Sequence, residues 1–162
     1  MKGISTWLFS KMSMLVFLII TFSTITAFSL LIKEKMYSDS AAVAAETMKD
    51  HVQSAVFSGA LEVSSLKPLS KTIPEERGRT YSVYFQHSGD YLSIAVGWGE
   101  NPKGYTAASI LYVPQGLTVC LKENSAAQCS DEVSFYSDKI HYVKVIKKGS
   151  TLEIVGCESK AC

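Results

Sequence analysis

No acidic residue precedes Glu34, no cysteine precedes Cys120, and proline is absent until Pro68. The chain also lacks the spacings that mark common chemical sites. There is no HExxH, GxSxG, CxxC or GxGxxG, and His51, His87 and His141 are scattered. HExxH matters because two histidines one helical turn apart share a face and can hold one zinc ion; these three histidines lack that spacing. No catalytic residue, cofactor or metal ligand is therefore expected. Sixteen basic residues against fifteen acidic ones leave a net charge of +1. That balance provides no basic field for nucleic acid and no acidic tail. Neither Asn101 nor Asn124 begins an N-x-[ST] sequon.

What the early absence of acid leaves is Met12–Ile32, MSMLVFLIITFSTITAFSLLI, bracketed by Lys11 and Lys33. These 21 residues match the roughly 20 that a helix needs to cross a bilayer's hydrocarbon core. A cleavable secretory signal would carry an apolar stretch of only about 7–15 residues followed by small residues. Here the run ends at Lys33-Glu34-Lys35, so it is expected to stay in the mature protein. Thr21, Ser23, Thr24, Thr26 and Ser29 thread polarity through it at spacings that line part of one helical side. Such hydroxyls either bond across to a neighbouring helix or bond their own backbone carbonyls one turn back. Both alternatives stand at this point.

Beyond Ile32 the pattern becomes amphipathic. Ala41, Ala45, Met48, Val52 and Ala55 step by four and three, a narrow stripe suited to packing on a sheet. Ser38-Asp39-Ser40 could kink or recap this helix, but no proline interrupts it, so one long rod from the membrane to the outer domain is equally open. Gly59–Thr80 reads as a linker punctuated by Ser64, Ser65, Pro68, Pro74 and Gly78. Period two then takes over. Tyr81, Val83 and Phe85 are followed by the turn His87-Ser88-Gly89-Asp90, then Leu92, Ile94 and Val96. Further strands are predicted at 107–113, 117–122, 133–136, 140–147 and 151–155. The fold class is α+β: a long N-terminal hydrophobic and amphipathic helix packed on a C-terminal antiparallel β domain. Its parts are 1–11, a short leader or cytoplasmic N-terminus; 12–32, a transmembrane or assembly helix; 33–59, an amphipathic stem; and 60–162, an extracellular antiparallel β domain.

All four cysteines, Cys120, Cys129, Cys157 and Cys162, fall in that domain. Their even number and the anchor favour disulfides in an oxidising compartment over zinc. Cys120–Cys129 and Cys157–Cys162 each close a short loop and are the expected pairs. Lysines are nearly balanced about the apolar run, so the outward placement of the cysteines, rather than charge, puts the amino terminus inside. Trp98 and Tyr105 flank the glycine-rich loop 97–104, where an exposed ring would touch a partner or a sugar face and a packed one would close the core.

In organisation the chain resembles the archaeal type IV pilin-like proteins with a class III leader. Lys2-Gly3 stands before a long apolar helix, an alanine-rich continuation follows, and a compact β domain comes last. Ile73-Pro74 and Gly78-Arg79-Thr80-Tyr81-Ser82-Val83 also look like the approach to the first strand in such proteins. The resemblance implies a leader cut between Gly3 and Ile4 that leaves the helix in place. It further implies a structural subunit, in the membrane or in a cell-surface filament, whose partners are the membrane and homo- or hetero-oligomeric pilin-like subunits. Two features depart from that family. Leu8 stands where many pilins carry a glutamate, and the first carboxylate after Lys11 is Glu34, 23 residues or about 35 Å of helix away. The departures favour a membrane-resident or low-copy subunit over a bulk filament pilin, with a retained single-pass binding module as the alternative.

Overall fold

The computed structural model describes residues 2–69, 80–98 and 105–160, with side chains described from residue 10 onward and not at 105. The chain divides into two compact units, Met1–Tyr37 and Ser38–Cys162. One helix, α1 (Lys2–Val56), contributes to both. Neither proline nor, after Gly3, glycine occurs in it, and Ser38-Asp39-Ser40 does not interrupt it. Helical hydrogen bonding therefore runs unbroken through Ser38-Asp39-Ser40, the continuous of the two readings that the sequence left open.

In the second unit the predicted stripe Ala41, Ala45, Met48, Val52 and Ala55 is buried, joined by Ala44 and Val56. The alanines keep this face narrow, and the helix packs into the same hydrophobic cluster as the strands. At its end, the Lys147 ammonium donates to the carbonyls of Val56 at 2.9 Å and Ser58 at 2.8 Å. These are carbonyls that the terminating helix leaves without intrahelical partners.

Among the described residues eight strands follow: β1 (Glu62–Pro68), β2 (Tyr81–Ser88), β3 (Tyr91–Trp98), β4 (Tyr105–Tyr112), β5 (Thr118–Lys122), β6 (Glu132–Tyr136), β7 (Tyr142–Lys148) and β8 (Thr151–Cys157). They form two four-stranded sheets, ordered β1-β7-β8-β5 and β4-β3-β2-β6. Tyr81, Val83 and Phe85 of β2 and Leu92, Ile94 and Val96 of β3 face inward, as their alternation predicts. Val143, Val145, Leu152 and Ile154 answer them from the other sheet in one shared core. Gly89 (φ 60°) and Gly149 (φ 56°) open the two-residue turns of the β2–β3 and β7–β8 hairpins. A left-handed first turn residue matches the twist of the flanking strands, and glycine adopts it without a Cβ penalty.

Three expectations are corrected. The domain is mixed, because β5 runs parallel to β8 while every other strand pair is antiparallel. Strand alternation has the same period in either direction, so the pattern could not separate them. There are two sheets, so much of the core is sheet against sheet, with the helix contributing one flank. The expected linker 59–80 contains β1, which pairs with β7 from Glu62↔Lys148 to Pro68↔Tyr142.

Cys120 on β5 is joined to Cys129 by a disulfide with the Cα atoms 4.9 Å apart. A bridge between Leu121 and Ser130 lies beside it, so the crosslink staples the 123–130 loop along the edge of β5. The other expected pair, Cys157–Cys162, includes a residue outside those described. Replacing Cys120 and Cys129 together by alanine is expected to lower stability by about 2–3 kcal/mol, the loop-closure value for a crosslink of this span. Urea unfolding of the oxidised variant and of the unsubstituted chain measures the difference.

Candidate functional site

The feature with the clearest functional content is the apolar stretch of α1. From Ser10 to Ile32 every side chain is exposed except Thr21, which is half-exposed. Phe17, Phe22 and Phe28 present about two thirds of their surface, at 68%, 70% and 66%. A contiguous apolar surface of this extent is far larger than scattered surface hydrophobics and calls for lipid or other protein to cover it. The helix is long and apolar enough to cross a membrane.

The hydroxyls show how polarity is tolerated there. Thr21 donates to the Phe17 carbonyl at 2.8 Å, Thr24 to Ile20 at 2.6 Å and Thr26 to Phe22 at 2.8 Å. Each closes its bond one turn back, so these three need no neighbour to be satisfied in an apolar medium. Ser23, Thr26 and Ala27 nevertheless form the floor of a shallow groove walled by Leu15, Leu18, Ile19, Phe22 and Leu30. A small-residue floor between large walls lets a second helix approach closely. Ser29 is exposed and lies outside that groove.

The remaining expected site residues lie elsewhere. Gly3 and Ile4 fall in the first turn of α1, and their side chains are not described. Trp98 ends β3 half-buried, its ring 6.1 Å from that of buried Tyr81 at an interplanar angle of 69°. It packs against the core cluster. The Tyr105 side chain and the loop 99–104 lie outside the described residues. Among described residues no group of three His, Cys, Asp or Glu side chains is placed to hold a metal.

One residue is placed where polarity alone would not put it. His51 is buried on the inward face of the stem, and its Nε2 has no hydrogen-bond partner among the described residues. The signal that finds it is the spacing Ala44, Met48, His51, Ala55, which sets it in the same inward stripe.

No protein family, curated protein or solved structure matches this chain.

Proposed function

We propose that the chain is a pilin-like structural subunit. It is anchored by Met12–Ile32, carries its β domain outside the membrane, and assembles with like subunits through the apolar helix. The observation that carries this reading is the uncovered apolar surface of that helix, which the β domain's own core does not use. The groove floored by Ser23, Thr26 and Ala27 supports helix-to-helix assembly in particular. The Cys120–Cys129 disulfide in the β domain fits an oxidising exterior. Catalysis has no part in this reading.

A second reading has its own observation. Because Thr21, Thr24 and Thr26 satisfy themselves, a lone helix in lipid is also stable, as in a single-pass anchor for an extracytoplasmic binding module. Mass spectrometry of the native amino terminus together with electron microscopy of the purified assembly separates the two. A chain beginning at Ile4 within an ordered oligomer supports the subunit. An uncut, monodisperse protein overturns it in favour of the anchor.

A further inference from the structure

The seam where the stem of α1 joins the core of the β domain holds one titratable side chain in an otherwise apolar stripe. His51 is only 8% exposed, and its helical neighbours Met48, Val52 and Ala55 are buried with it. The backbone of Val143 on β7 bears on its ring, while Nε2 has no hydrogen-bond partner among the described residues. The charge that bears on it from β1 is the Lys67 ammonium, of the same sign as a protonated imidazole. On its own helix, Glu46 pairs with Lys49 and accepts a hydrogen bond from the Ser109 hydroxyl of β4 at 2.7 Å, and Asp50 is exposed. No described carboxylate is therefore placed to receive a proton's charge at Nε2.

We infer that His51 is an acid-sensitive latch, whose neutral form lets residues 41–56 dock on the core of the β domain and whose protonation loosens that docking. A proton on Nε2 would create a cation in a buried seam, at an atom without a hydrogen-bond partner and in the field of the like-charged Lys67. Undocking returns the ring to water, where the charge is solvated. Burial holds the imidazole below its ordinary range, the Lys67 charge lowers it further, and the Val143 backbone bond opposes them in part.

The sign follows from the two states. Above the free imidazole value of about 6.5 both states are neutral and docking is intact. As pH falls below that value the undocked state takes up a proton that the docked state resists. Docking stability is then lost progressively until the docked-state value is passed. One proton permits up to about a tenfold change in the undocking equilibrium per pH unit across that window. The inference concerns the β domain and its stem, and stands or falls separately from the anchoring role.

Hydrogen-exchange mass spectrometry on the full chain in detergent micelles, at about pH 7.5 and about pH 5 with intrinsic rates corrected, tests the latch. Protection over 41–56 is expected to fall severalfold or more at the lower pH, relative to β2 and β3. His51→Phe should abolish that extra loss. Lys67→Met should reduce it, because removing the like charge brings the docked-state value nearer the free one. The inference is overturned if protection of 41–56 does not respond to pH, or if the response persists in His51→Phe. It is equally overturned if 41–56 and the strands lose protection together. Should His51→Phe fail to fold, His51→Gln and the Lys67→Met comparison give the same decision.

Discussion

Replacing Phe135 by alanine will cost about 3–5 kcal/mol, a large share of the roughly 5–15 kcal/mol that holds a domain folded. The ring is fully buried on β6, with its centroid 5.5 Å from that of Phe85 on β2. It also reaches across the core to β8. There a Cβ added to Gly156 would lie 2.8 Å from its Cε1 and 2.6 Å from the carbonyl oxygen of Glu123. Phe135 therefore fills space between the sheets that glycine keeps open, and truncation leaves a cavity that neither backbone can close. Gly156→Ala is the complementary test. It too should destabilise, and Phe135→Ala should not rescue it fully, because the Glu123 carbonyl remains in the way. Urea unfolding followed by tryptophan fluorescence reads both. A loss below about 1 kcal/mol for Phe135→Ala would mean that the inter-sheet contact contributes little.

Much of this architecture was legible because single side chains repeat at the period of their element. The stem announced itself through Ala41, Ala45, Met48, Val52 and Ala55, and the β2–β3 hairpin through Gly89 between two alternating runs. β1 was missed for a physical reason. Glu62–Pro68 lies at a sheet edge with no residue fully buried, so its alternation of Val63, Ser65 and Lys67 carries little hydrophobic contrast. Its partner β7 comes about 80 residues later, beyond the reach of any local pattern. The parallel β5–β8 pair hid for a related reason. The direction of a neighbour is set by how the chain crosses between sheets, which side-chain periodicity does not encode. His51 was hidden by its polarity, although its position in the stripe was readable. For the apolar helix, length and lack of charge were plain in the sequence. Which hydroxyls bond backward needed side-chain geometry.

Placing aspartate at Phe22 will remove most of the protein from the membrane. Phe22 lies at the middle of the uncharged run, 70% exposed on a helix whose apolar surface is otherwise uncovered. A carboxylate at the centre of a spanning helix costs about 2.5–3.5 kcal/mol in insertion. That is about a hundredfold in the inserted fraction, at roughly 1.4 kcal/mol per tenfold. Carbonate extraction of membranes measures it directly. Val43→Asp is the control, since Val43 is comparably exposed at 64% but lies beyond the run, and it should stay membrane-bound. Thr24→Val should also remain inserted, because the hydroxyl it removes is already bonded to its own helix. Retention of Phe22→Asp in the carbonate-resistant fraction would remove the basis for treating this helix as the embedded element. If Phe22→Asp is lost from the membrane while both controls remain, the central charge is what the bilayer rejects. The exposed apolar surface then has its cover in lipid, and neighbouring helices can add to that cover only after the helix is inserted.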